Sequence, residues 1–360
     1  MVRPFSIDHP IRVKPADAAD LIDVFTAYAG ERPIIVPQGR YRVDEALVVQ
    51  PNTIVQGEGR YYDSQGQVTL DADPVVGTVI ELDFDDDDGA VFDATAQECR
   101  GCVFRDFYLY GKGEGTGYHY ASGFKGLFKS SLWENVGVGI FRQAGWWLGG
   151  SGGSDLYDNM LLGCFGYWMG NNATSEESAI VIDTGVSDVK VIGRTFSNSK
   201  FANFEVLSTG GGNHRLLGTT LQLARYGAYI HGTTANFDQC SIDQNDYDGI
   251  LFTDLDGSVG SSSVIGCKLR KSSQATNDTY FHIRLDDYVN TRILGGYFRH
   301  GGGANKAKAC IGWDNTTREP VYVATGIDAK AGANTLTYLG WDIVGGHTER
   351  QTDSIEEFIT

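Results

Sequence analysis

The chain has 360 residues, with 29 Lys plus Arg against 46 Asp plus Glu, a formal net charge of -17, 41% hydrophobic residues, 47 Gly and 8 Pro. An ordinary apolar fraction argues against disorder, and no run approaches the roughly 18 apolar residues that a membrane span needs. The excess negative charge repels phosphate backbones, so neither a nucleic-acid partner nor membrane insertion is expected.

The acid is unevenly chosen, 32 Asp to 14 Glu, and the bases are 18 Arg to 11 Lys. An Asp-rich, Lys-poor surface suits a saline, halophilic setting, where dense carboxylates stay hydrated and their repulsion is screened. Six Cys in this length do not make a disulfide framework, and Cys99 and Cys102 form a single CxxC without a second pair. No apolar stretch follows Met1, Val2, Arg3 and Pro4, so a secretory signal is not expected at this end.

Pro15 to Gly30 predicts an amphipathic helix. Leu21, Ile22, Phe25 and Tyr28 share one face, Asp17 and Asp20 sit in its first turn, and Gly30 stops it. Short strands follow at PIIVP (Pro33 to Pro37), Tyr41 to Val43, Ala46 to Val49 and Thr53 to Val55. Beyond Gly59 no helical period lasts three turns.

A six-residue pattern, apolar-x-(small or acidic)-x-x-apolar, then recurs. It reads FRDFYL from Phe104, LYDNML from Leu156, VIGRTF from Val191, LLGTTL from Leu216, FDQCSI from Phe237, VIGCKL from Val264 and ILGGYF from Ile293, with a weaker copy from Leu132. Successive starts differ by 28, 24, 35, 25, 21, 27 and 29 residues. Variable spacing of this kind fits solenoid coils with unequal loops better than propeller blades of about 40 residues. Each period carries another strand: GWWL from Gly145, GYWM from Gly166, NFEV from Asn203, AYIH from Ala228, GILF from Gly249, HIRL from His282 and CIGW from Cys310. Strand alternation sends the second and fourth residues of each inward and the third outward. The coils stack in parallel about 4.8 Å apart.

The helix followed by IIVPQGRYRVDEALVVQPNTIVQGEGR, together with the rung VKVIGRTFSNS (Val189 to Ser199), resembles the pectate-lyase-like right-handed parallel β-helix proteins. The resemblance covers about residues 15 to 313. It implies an all-β parallel solenoid with a capping helix at residues 1–60, a β-helix body at 61–315, and a distal cap or oligomer contact at 316–360. That group includes polysaccharide lyases, glycoside hydrolases, epimerases, inulin fructotransferases and phage tailspikes, so it constrains fold more than chemistry. The rung LYDNMLLGCFGYWMG (Leu156 to Gly170) is also similar to one in the inulin fructotransferases.

Stacking the outward positions gives the column Trp147, Trp168, Glu205, Ile230, Leu251, Arg284 and Gly312. Indole faces stack on the C–H faces of sugars, so Trp147 and Trp168 are candidate glycan platforms; a row of exposed aliphatics would instead mark a subunit contact. Glycoside cleavage needs an acid of raised pKa and a second carboxylate about 5 to 9 Å away. Glu205 interrupts an otherwise apolar strand and is the catalytic candidate. Its partner is Asp183, in the insertion SEESAIVIDTG from Ser175 to Gly185, or Asp158 or Asp155 on the preceding rung. A lyase would need a base and a cation beside a uronate. Lys190, Arg215, Arg292, His214, His231, His282 and Arg284 are the available groups, and Lys190, Arg215, His231 and Arg284 are expected to bind substrate, such as an anionic polysaccharide. The run Asp83 and Asp85 to Asp88 lacks EF-hand spacing and reads as a solvated loop, with calcium the one ion it suggests; no other cofactor is expected. Many other Asp residues, among them Asp155, Asp158, Asp243, Asp246, Asp248, Asp254 and Asp256, fall in the expected bends. Cys240 and Cys267 share a column as buried thiols.

The leading expectation is a tailspike-like, homotrimeric glycoside hydrolase on a microbial surface glycan, extracellular or carried on a virion. A polysaccharide lyase, a non-catalytic receptor-binding virion protein and an inulin fructotransferase-like enzyme are the alternatives.

Overall fold

The computed structural model describes residues 9–59, 77–84, 89–111, 121–151, 155–170, 177–207, 211–253, 262–276, 279–286, 289–299, 307 and 310–312. For 321–325 and 328–330 only the strand path is described. Among the described residues the strands form three parallel sheets of 12, 11 and 10 strands, called here the first, second and third sheets. The chain visits them in turn, as in Val103–Arg105, Tyr108–Tyr110 and Ser122–Lys129, then Leu132–Glu134, Gly137–Gly139 and Trp146–Leu148. One such circuit is one coil of a right-handed parallel β-helix.

Ahead of the coils lies the helix Ala18–Tyr28. The Asp17 carboxylate accepts from the Asp20 N–H at 3.0 Å, satisfying a donor that the first turn leaves open. Leu21 and Phe25 enter the core, where the Phe25 ring lies 5.7 Å from that of Phe92.

The six-residue pattern is the corner between the first and second sheets. Its third residue has a left-handed backbone: φ is +61° at Asp106, +73° at Gly193, +60° at Gly218, +52° at Gln239 and +59° at Gly266. Glycine and short polar side chains tolerate this region readily, and bulky residues adopt it only at a conformational cost. The corner does not interrupt the ladder. The N–H groups of Gly193 and Gly266 donate to Leu217 O and Leu294 O in the following coils at 2.8 and 2.9 Å.

Two copies of the pattern are out of phase with the strands. Asp158 in LYDNML is also left-handed, but it lies in the bend ahead of the strand Met160–Leu162. Hydrogen-bonded register instead aligns Phe104, Trp133, Leu161, Val191, Leu216, Phe237, Val264 and Ile293, spaced 29, 28, 30, 25, 21, 27 and 29 residues apart. The 35-residue gap was therefore a phase error. The segment read as an insertion contains a regular third-sheet strand, Ile180–Ile182.

Like residues stack on like inside the solenoid. Phe92, Phe124 and Trp146 form a ladder with centroids 5.0 and 6.0 Å apart and planes within 10° and 9°, and Phe104 stacks on Trp133 at 5.9 Å. Cys240 and Cys267 are free, buried thiols. Not every Asp in a bend is solvated: Asp243 and Asp248 are 3% and 0% exposed and face Arg270 and Arg284. Asp85 to Asp88, Asp254 and Asp256 lie outside the described residues. Beyond Asn315, Val321–Thr325 continues the first sheet and Asp328–Lys330 the second.

Adjacent tryptophans provide a test of this inside–outside division. Trp146 is 0% exposed in the aromatic ladder, whereas Trp147 faces out. Trp146→Ala is expected to cost about 3 to 5 kcal/mol. Trp147→Ala should cost about 1 kcal/mol or less. Urea denaturation of the two variants measures the difference, and equal losses would contradict the assignment.

Candidate active site

The outer face of the third sheet carries the side chains that alternate with the core. Register pairs Lys125 with Trp147, Trp147 with Val181, Val181 with Glu205, Glu205 with Tyr229, Tyr229 with Leu251 and Leu251 with Arg284. Successive members are about 4.8 Å apart.

Glu205 stands in the strand Ala202–Val206, where Phe204 and Val206 point inward and are fully buried. Ser178 Oγ donates to Glu205 Oε2 at 2.6 Å and itself accepts from the Ala202 N–H at 3.2 Å. Burial pushes the Glu205 carboxyl up to about 7; the Ser178 hydrogen bond opposes the shift, and the neighbouring Glu177 adds to it. Burial also raises Glu177, against the pull of Lys125. Near neutral pH, Glu205 is thus divided between acid and carboxylate forms, the state suited to general acid chemistry.

Asp183 lies one coil before Glu205 and two residues along. From the sheet spacings, their Cα atoms are about 8 Å apart. Trp147 Nε1 donates to Asp183 Oδ2 at 3.0 Å, while the Thr184 N–H and Oγ1 donate to Oδ1 at 2.6 and 3.1 Å. The carboxylate is held in place and in turn fixes the indole. Lys125 Nζ lies 5.2 Å from the Trp147 ring centroid.

Past Glu205 the face becomes aromatic. Tyr229 packs at 5.1 Å from Phe201 and 5.4 Å from Tyr226; Tyr226 then meets Tyr247 at 5.5 Å, and Tyr247 stacks on Tyr280 at 4.5 Å. Arg284 pairs with Asp286 and lies 3.9 Å from the buried Asp248 carboxylate. His231 sits at the end of this region, its ring 6.3 Å from that of Tyr229.

The structure therefore brings Trp147, Asp183, Glu205, His231 and Arg284 to one face. It places Lys190 and Arg215 on the first sheet, paired in register, with Lys190 Nζ 3.3 Å from Asp158 Oδ1. Arg292 shares that first-sheet column through Ser263 and Asn236. His214 is buried, its pKa lowered to about 4 by desolvation, and His282 is buried against Ser272.

Two members of the expected column are replaced. Trp168 follows the second-sheet strand Phe165–Tyr167, at the bend leading to the third sheet. Its column position belongs to Val181. Ile230 points inward and is fully buried, which leaves Tyr229 outside, because the frame there is Gly227 to Ile230. Leu251 is 6% exposed, so no row of exposed aliphatics runs down the column. Glu177 and Ser178, beside Glu205, and Lys125, over Trp147, have no sequence signal, since only register brings them to this face. Among the described residues no group of three or more His, Cys, Asp or Glu could hold a metal ion, and no helix is long and apolar enough to cross a membrane.

No protein-family model matches the chain, and no curated protein matches it in sequence. Solved structures do match. The ORF18 protein of Geobacillus virus E2 superposes with a TM-score of 0.64 at 15% identity, over 89% of this chain and 61% of that one. The enzymatically active domain of tailspike protein 2 from bacteriophage CBA120 gives 0.55 at 12% identity, over 84% and 44%. The mannuronan C-5 epimerase A-module of Azotobacter vinelandii gives 0.51 at 12% identity, over 87% and 94%. This chain thus spans about three fifths of the virus protein and under half of the tailspike domain. With three parallel sheets, a stacked interior and these neighbours, the chain has the right-handed parallel β-helix fold.

Proposed function

We propose that the protein binds a polysaccharide along the outer face of its third sheet and cleaves it by glycoside hydrolysis. The carrying observation is Glu205, a carboxyl raised to about 7 by burial at the centre of a face that holds a second ordered carboxylate and an indole platform. Glu205 donates its proton to the glycosidic oxygen as the C–O bond breaks. Asp183 accepts a proton from the water that attacks the anomeric carbon. Trp147, fixed by Asp183, offers its face to a sugar ring. The phage tailspike domain of the same fold supports a tailspike-type role, in which the protein acts on a microbial surface glycan outside the cell as part of a virion. Assembly as a homotrimer belongs to the same proposal, and light scattering reads it directly.

A second reading, β-elimination, is favoured by Lys125, a cation within electrostatic reach of Glu177 and above Trp147, where it could neutralise a uronate carboxylate. The product separates the two. Hydrolysis gives new reducing ends only, whereas elimination gives an unsaturated sugar that absorbs in the ultraviolet.

Glu205→Gln is expected to lower the rate of reducing-end release about 10²- to 10⁴-fold with glycan binding retained; an undiminished rate would remove Glu205 from catalysis. In the parent, activity should fall as pH rises through about 7, the range in which Glu205 loses its proton.

Stability gives a readout independent of substrate. The folded-state pKa of Glu205 is raised from 4.5, so its favourable contribution is complete below the unfolded value and is lost as pH rises through the folded one. Glu205→Gln should therefore match the parent in Tm at pH 4 and exceed it at pH 8. A lower Tm at pH 8 would mean that the carboxylate is a structural support.

A further inference from the structure

A groove of about 490 Å³ opens where the chain turns from the second sheet into the third, to one side of the Glu205 column; its lining includes Trp168, Lys200, Leu223, Arg225 and Asp246. The corners that build it begin with a left-handed residue in three consecutive coils: Trp168 at φ +58°, Asn198 at +61° and Leu223 at +57°. Their N–H groups continue the ladder to Ser197 O, Gln222 O and Asp243 O at 3.0 to 3.2 Å. Asn accepts this backbone readily, while an indole and a branched aliphatic do so at a conformational cost. Neither bulky side chain serves the core from this position: Trp168 is half-buried and Leu223 is 41% exposed. The same left-handed corner recurs at Ile140, Gln244 and Lys271 and so belongs to the coil; what marks the groove is that Trp168 and Leu223 turn apolar surface outward there.

The charges of the groove run against those of the chain. The Lys200 N–H donates to Met169 O and the Asp246 N–H to Ala224 O, so Lys200, Arg225 and Asp246 follow one another on successive coils. Burial raises the Asp246 carboxyl, while Arg225 and Lys200 act in the opposite direction. Two cations thus share the groove with one partly desolvated carboxylate, on a chain with a net charge of -17. The wall continues toward the catalytic face through Phe201, whose ring is 5.1 Å from Tyr229, the register partner of Glu205.

We propose that this groove holds an acidic sugar unit, its carboxylate received by Lys200 and Arg225 and its ring face laid on Trp168, which makes the substrate an anionic polysaccharide. The proposal rests on the polysaccharide reading of the third sheet and adds its substrate class. A guanidinium fork and an ammonium recognise a carboxylate through charge-assisted hydrogen bonds. A neutral sugar at the same place would cover the two cations without supplying an acceptor of matching charge, so the groove discriminates as well as binds.

The test titrates the full chain with alginate, polygalacturonate and hyaluronan, each also after chemical reduction of its carboxyl groups to alcohols. At least one acidic polymer should bind about tenfold or more tighter than its reduced form. The preference should shrink toward unity in Lys200→Ala/Arg225→Ala and survive in Lys200→Arg, with unchanged circular dichroism showing that the variants fold. Equal binding of acidic and reduced polymers, a preference that persists in the double alanine variant, or binding of none of the three acidic polymers would each overturn the acidic subsite. The two proposals fail separately. Cleavage of a neutral glycan that needs Glu205 but ignores Lys200 and Arg225 removes the subsite and leaves hydrolysis. Selective binding of an acidic polymer that the parent never cleaves does the reverse.

Discussion

Each coil leaves the first sheet through a single left-handed residue whose N–H still reaches a carbonyl of the next coil, as at Gly193 and Gly266. Because the corner breaks direction without breaking the hydrogen-bond ladder, the first-sheet column holds its register from Phe104 to Ile293. A polar group left unpaired at every corner would cost free energy once per coil. The choice of residue follows from the same constraint: Gly, Asp, Asn and Gln hold the first corner, since a β-branched or aromatic side chain there would clash with its own backbone. Register then converts a one-dimensional repeat into columns, and the columns decide which side chains meet.

Columns explain how the candidate face is built. In a parallel stack, neighbours on the surface come from segments about 20 to 30 residues apart, so one coil supplies Glu205, the one before it Asp183, and an earlier one Trp147. Trp147, Asp183 and Glu205 meet in this way. The rigid interior matters as much. Phe204 and Val206 lock the Glu205 strand from beneath, and a carboxyl that cannot move away from its low-dielectric surroundings stays closer to neutral than it would in water. The fold bears that destabilising group because the stacked core is large.

The net charge of -17 does not describe the surface evenly. Some of the acid is structural: Asp243 and Asp248 are buried against Arg270 and Arg284, and Glu81 is 0% exposed between Arg40 and Arg42. Elsewhere the cations are neutralised locally, as in Lys190 with Asp158. At the second bend Lys200 and Arg225 share a groove with Asp246, whose carboxyl is raised by burial.

The repeat, the parallel stacking, the inward and outward faces of most strands and the candidacy of Glu205 were legible in the residues, because period-2 alternation and the small residue at the corner are local and recur in every coil. The phase of two coils was not. Leu156 fits the whole pattern and Leu161 all but its last position, which is Gly166, and only hydrogen bonding to Trp133 and Val191 selects the latter. From that ambiguity came the misplacement of Trp168 and the reading of Ile180 to Ile182 as an insertion. Ile230 went astray for a related reason: Ala228 is small enough to pass for either face, and the packing of the next coil decides. Sequence by itself thus determined the architecture, since each coil repeats the same backbone requirement. Tertiary structure alone decided that Glu177 and Ser178 lie beside Glu205, that Lys125 lies over Trp147 and that Lys190 and Arg215 lie on another sheet, because contact between coils depends on register, which is a property of the whole stack.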